Sequence, residues 1–358
     1  MTVFSAPASH YNGSPPTAAA LTHKPFGSQI LRLNILQPSS RFRFFVFAAA
    51  CLGLVGSGFT ATATAAEAAA DVTFDDVRAG FGGYYKVGDW SPLFVTVSSA
   101  TDRDAQLVVG VPDVDSDMTW RTGPTVQLKA GQPFRFESRF KTGRTRGELH
   151  LRIESGGERV AAKTLRVGEN SAAFREGLLP AQQLWVSVGE PAGLVDDEAQ
   201  ESQDQTRFIA DIPVEDLPSE WRSYDGVAAL IIATAVPDGE PIPARISDWQ
   251  SSAIALWVRC GGFLALSLGR EVPSYQKSPL ATWVPVKVTG QADTRELRDV
   301  ESIAGQRDPL PRFRPLKTAV VSEAPGDFEG EVVARGLSGP RLVRVPYGLG
   351  RIAFLTVD

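Results

Sequence analysis

The stretch 224-YDGVAALIIATAVPDGEPIPARISDWQSSAIALWVRCGGFLALSLGR-270 decides how the second half of the chain is read. Residues 227–234 are a continuous apolar run, bounded by Gly226 and by the Pro- and Gly-rich loop 237–243, and this predicts a strand covered on both faces. Ser247 or Asp248 is placed to cap the helix that follows. Trp249, Ala253, Leu256, Trp257 and Cys260 fall on one stripe at helical spacing, which predicts that they form its buried face. Gly261 and Gly262 supply a left-handed stop, and residues 263–268 read as a second apolar strand. A strand, a helix and a second strand at this spacing make a right-handed βαβ unit, which predicts an α/β sheet with helices on both faces.

Working outward, residues 184–188 and 208–212 read as earlier strands of the same sheet. Residues 318–322, 341–346 and 351–357 read as later ones, with Tyr347-Gly348-Leu349-Gly350 turning between the last two. Residues 271–315 are Pro-rich and charged, carry a possible helix at 294–304, and read as an insertion over the sheet. The run YDGVAALII followed by SDWQSSAIALWVRCGGFLALSLG, ending in the pattern WV-x-x-GG-x-L-x-x-S, resembles the class I glutamine amidotransferase-like domain. The likeness is to the non-catalytic form found in bacterial membrane-associated proteins. The closing phrase VPYGLGRIAFLTVD resembles the last hairpin of that domain. The resemblance covers residues 184–358 and implies an α/β, flavodoxin-like fold. It also implies a chain that continues past the closing strand into further helix and often a membrane span, whereas no second apolar run of about 20 residues occurs here.

Residues 72–168 read differently. Leu93, Val95 and Val97 alternate, as do Phe134 and Phe136, and Leu149, Leu151 and Ile153 against His150, Arg152 and Glu154, with turns at Gly82-Gly83, Gly88-Asp89 and Ser155-Gly156-Gly157-Glu158. About seven short strands in a hundred residues predict an all-β, immunoglobulin-like sandwich, joined through a linker at 169–183 to the domain at 184–358. Tyr84, Tyr85 and Trp90 in YYKVGDWSPLFVTV offer an aromatic platform for a sugar or peptide; alternatively, Trp90 seats against the sandwich core while Pro92 starts an edge strand. Asp113, Asp115 and Asp117 alternate like part of a calcium loop but lack its glycine and distal glutamate, so they read as a solvated acidic turn.

An amidotransferase needs a cysteine on a tight strand-to-helix turn and a nearby histidine to deprotonate it. Cys51 lies in the leader, Cys260 on the apolar stripe reads as a small buried hydrophobe, and the histidines are His10, His23 and His150. No Cys/His pair can therefore be assembled in the second domain, and no enzyme activity is expected. Gly189-Glu190-Pro191-Ala192-Gly193 is only an echo of a dinucleotide turn, and neither a metal nor a cofactor is expected. Open α/β sheets bind at the C-terminal ends of their strands, which makes Glu190, Thr234, Arg270 and Glu271 the candidate ligand-binding residues. The competing reading is a hydrolase working with the carboxylates Glu190, Glu271 and Asp358.

Residues 1–66 carry Lys24, Arg32, Arg41 and Arg43 and no acidic residue. Arg41 and Arg43 precede a largely apolar run at 44–59 and the small-residue segment TATATAAEAAA, the order of a secretory signal peptide behind a long, disordered n-region. An uncleaved anchor is the alternative. Removing the leader takes the formal net charge from −5 to −9, with 32 basic side chains against 41 acidic ones. That balance argues against nucleic acid as a partner. The expectation is an exported, non-enzymatic protein of the periplasm or cell envelope that binds an envelope protein or a small ligand, with carbohydrate or peptide binding by the sandwich as an alternative.

Overall fold

The computed structural model describes residues 71–169, 173–189, 205–234, 240–295, 298–303 and 315–357, and the expected leader lies outside these residues. These described residues fall in one compact unit. Its N-terminal part is a β-sandwich of two antiparallel sheets. One sheet holds β1 (Val72–Ala79), β2 (Ser91–Ser99) and β6 (Phe134–Phe140). The other runs in the order β4 (Met118–Thr122), β3 (Arg103–Pro112), β7 (Glu148–Ser155) and β8 (Glu158–Arg166), with β5 (Val126–Leu128) also on β3. The alternating residues do what period-2 burial requires: Leu93, Val95 and Val97 face Leu107, Val109, Leu149, Leu151 and Ile153 in one core. Tyr85 closes this core, stacked on Phe174 at 5.0 Å and edge-on to Phe140 at 5.5 Å, with its hydroxyl donating to Thr145 O at 2.7 Å. Tyr84 is buried in the second core instead. The expected platform of Tyr84, Tyr85 and Trp90 is therefore not formed, because the first two rings fill cores.

The second part is a seven-stranded sheet in the order β10 (Thr206–Ile209), β9 (Gln183–Val188), β11 (Val227–Ala233), β12 (Phe263–Ser267), β17 (Gly350–Leu355), β16 (Gly339–Tyr347) and β15 (Glu331–Gly336). The first five strands are parallel and the last two pairings antiparallel. A separate pair, β13 (Val288–Thr294) with β14 (Leu316–Val321), stands beside it. The helices are α1 (Ile242–Arg245), α2 (Asp248–Arg259), α3 (Val272–Lys277) and α4 (Arg298–Ile303).

These facts correct the fold expected from the resemblance. A flavodoxin-like, amidotransferase-like domain is wound with helical crossovers that cover both faces of its sheet, and the described chain is predominantly strand, with α2 the one helix longer than six residues. Between β10 and β11 the chain passes through two 3-10 turns, Val214–Asp216 and Trp221–Tyr224. Pro213 and Pro218 interrupt that segment, so it cannot hold a full crossover helix. Between β12 and β17 it spends residues on β13, β14, β15 and β16, and residues 288–294 of the segment that read as an insertion are strand. The unit β11–α2–β12 is parallel as its spacing requires, but a single such unit does not make a doubly wound domain.

The helix phase also differs from the expected stripe. Ser251, Ala253, Ile254, Trp257 and Val258 are buried, whereas Trp249 is 76% exposed, Leu256 41% exposed and Cys260 exposed. The phase is set from outside the helix. Ser247 and Gln250 form a capping box, worth about 1 kcal/mol, and Gln250 Nε2 donates to Val214 O at 2.8 Å and Leu217 O at 2.9 Å. Among the described residues no helix is long and apolar enough to cross a membrane.

Candidate functional site

Of the residues expected at the strand ends, Glu190 and Asp358 lie outside the described residues. Thr234 is fully buried just past β11, and its amide donates to Ser267 O at 3.2 Å. Arg270 Nε lies 3.5 Å from the Glu271 carboxylate, so these two neighbours pair with each other. Gln291 of β13 donates to the carbonyls of Gly269 and Arg270, and Ser267 Oγ donates to Val357 O at 2.6 Å. These bonds join β13 and the residues after β17 to the end of β12. Among the described residues no group of three His, Cys, Asp or Glu is placed to hold a metal ion. Asp113 accepts from the amides of Asp115 and Asp117, as an acidic turn does.

A cleft of about 600 Å³ lies where the sandwich meets the turns ahead of β11, with Trp249 at its wall. Its charges close on one another. Asp216 takes both Arg78 and Arg135, Glu137 accepts from the amide and hydroxyl of Ser219 at 2.7 Å each, and Arg245 binds Glu215 at 2.7 Å and holds that carboxyl below the usual range. This is a seam between packed layers.

The sandwich edge at β4 is different. All five residues of β4 are exposed, and the strand presents two faces. On the outer face the strand pairings place Trp120, Gly110, His150 and Thr164 in one row, with Thr122, Val108, Arg152 and Ala162 in the next. The indole of Trp120 lies on Gly110: a Cβ added there would come within 2.4 Å of the ring. Arg152 stacks on the same indole with its guanidinium carbon 3.7 Å from the ring centroid, and the His150 ring is 6.4 Å away. His150 is held on both sides, by Thr164 Oγ1 at 3.2 Å and by Glu148 at 3.1 Å. The hydrogen bond from Arg166, with smaller help from His150, holds the Glu148 carboxyl below its ordinary range. Trp120 nevertheless remains 38% exposed and Met118 37%. On the inner face Arg121 and Thr119 line a smaller cleft, of about 330 Å³, beside Trp90.

No sequence pattern picks out Trp120, Gly110 and Arg152 as a group. The one available cue is a tryptophan in a short strand, MTWRT, directly after the acidic turn, with only Met118 as an apolar neighbour at i±2.

Fold and site together define a β-sandwich protein extended by a mixed sheet. Residues 74–168 match a family model described as a domain of unknown function (DUF8726). No curated protein matches the chain. Among solved structures, a putative beta-galactosidase from Bacteroides fragilis is similar at 9% identity and a TM-score of 0.22, over 57% of this chain and 40% of that one. A beta-glucuronidase from glycoside hydrolase family 2 follows at 10% identity and a TM-score of 0.21, over 56% and 19%. A calcium-binding mutant of Bacteroides uniformis beta-glucuronidase 2 gives 10% and 0.20, over 57% and 24%. The chain thus spans 40% or less of the length of each, and likenesses of this size carry no argument about what it does.

Proposed function

We propose that this is an exported, non-catalytic binding protein whose sandwich takes a saccharide on the outer face of the β4-β3-β7-β8 sheet. The observation that carries this reading is the half-exposed indole of Trp120, lying on Gly110 and flanked by the planar polar groups of Arg152, His150 and Glu148. An indole offers a flat apolar surface to the C–H faces of a sugar ring, while fixed planar donors and acceptors select its hydroxyls. Export rests on the basic leader, its apolar run and its small-residue segment; the absence of a Cys/His pair supports a non-enzymatic role.

The test is a glycan array followed by calorimetric titration of the best saccharide against the wild-type chain and Trp120→Ala. Loss of binding in the variant at unchanged thermal stability is expected; equal affinity in both overturns the assignment. An exposed edge such as β4 also suits an added peptide strand. Such binding would survive Trp120→Ala and fail when a proline is placed in β4, which separates the two readings.

A further inference from the structure

The inner face of β4 opens on a site of different chemistry. The cleft of about 330 Å³ is lined by Trp90, Val109, Val111 and Phe140 together with Arg121, Arg139 and Lys141. The three cations come from different elements: Arg121 from β4, Arg139 from β6 and Lys141 just beyond it. Period-2 alternation sends Arg121 inward where its neighbour Trp120 goes outward, and this brings its guanidinium carbon to 5.8 Å from the Trp90 centroid. That of Arg139 lies 5.1 Å from the same ring.

Arg139 is 7% exposed. It forms an ion pair with the half-buried Glu220, yet among the described residues its Nε has no hydrogen-bond acceptor. A buried guanidinium N–H without an acceptor costs free energy that an arriving anion can recover. Burial, and then the charges of Arg121 and Arg222, push the Arg139 proton affinity down, against an opposing contribution from Asp225, whose charge also acts on Lys141. Arg121 and Lys141 have no ion-pair partner among the described residues. The one carboxylate in the lining, Asp113, accepts through Oδ1 from the amides of Asp115 and Asp117 in its own turn. Apart from Thr119 and Thr142 the remaining walls are apolar.

We propose that this cleft binds a carboxylate carried on a small apolar body, with Arg139 as the buried anchor, Arg121 and Lys141 at the mouth, and the body against Trp90, Val109 and Val111. The site shares no residue with the Trp120 face, so the two assignments stand or fall separately.

The experiment titrates the full chain, by Trp fluorescence and calorimetry, with N-acetyl-leucine, N-acetyl-phenylalanine, the amides of both, and glucuronic acid. The acids are expected to bind, and the amides to bind about tenfold or more weakly, because a charge-assisted hydrogen bond is replaced by a neutral one. Arg139→Gln should abolish the preference for acid over amide. Should that variant fail to fold, the double substitution Arg121→Gln, Lys141→Gln, at exposed positions, should reduce the preference and flatten its dependence on salt. Equal binding of acid and amide, no binding of either acid at millimolar concentration, or a preference that survives these substitutions overturns the proposal. Tighter binding of glucuronic acid than of the apolar acids overturns the assignment of the apolar body.

Discussion

Asp216, in the turn ahead of β11, accepts hydrogen bonds from Arg78 of β1, whose Nη1 lies 2.8 and 3.1 Å from its two carboxylate oxygens. The pair joins residues 138 apart in sequence, and Asp216 is only 16% exposed while it also holds Arg135 of β6 at 2.6 Å. Asp216→Asn would leave two guanidinium groups facing a neutral amide. A loss of about 1–2 kcal/mol in urea unfolding is expected, above the value of an isolated surface pair because two arginines share one half-buried carboxylate. An unchanged unfolding midpoint would show the seam to be held by apolar packing alone.

Gly110→Ala tests how the Trp120 indole is seated. A methyl group 2.4 Å from the ring must push it off the sheet, and with it the stacked Arg152. The expected result is a change in Trp fluorescence with saccharide binding weakened about tenfold and less than about 1 kcal/mol lost in stability, since Trp120 lies outside the core. Stability loss without any change in binding would mark the ring as structural cladding.

Alkali should unfold the protein cooperatively. Burial pushes the Tyr85 hydroxyl up to about 12, and burial likewise raises Tyr224 and Tyr275. A group whose folded pKa is raised contributes stability that is complete below its unfolded value, near 10, and is lost as pH rises toward the folded value. Spectrophotometric titration should therefore show three of the tyrosines ionising together with the loss of circular dichroism. Smooth, independent ionisation of every tyrosine near 10 would contradict the burial of these three.

Cys260 should react readily with an alkylating reagent in the native state, because it sits exposed at the C-terminal cap of α2. The expectation from spacing was a buried thiol. Labelling as slow as in a core cysteine, released only by denaturant, would restore that reading.

What one dimension of the chain determined is the set of periodicities: the strands of the sandwich, the parallel pair β11 and β12 with a helix between them, and the glycine stop after α2. These follow from local alternation and from backbone requirements, which a residue carries wherever it is placed. The phase of α2 was not legible, because Gln250 bonds to carbonyls at 214 and 217 and so rotates Trp249, Leu256 and Cys260 outward. Nor was the winding of the second sheet, where prolines at 213 and 218 replaced a helical crossover with 3-10 turns and the segment 288–294 became strand. The two candidate sites were settled by tertiary structure alone. Trp120, Gly110 and Arg152 meet only through the register of three strands, and Trp90, Arg121 and Arg139 only where β4 turns one face inward, so the chemistry of either group exists in the fold and nowhere along the chain.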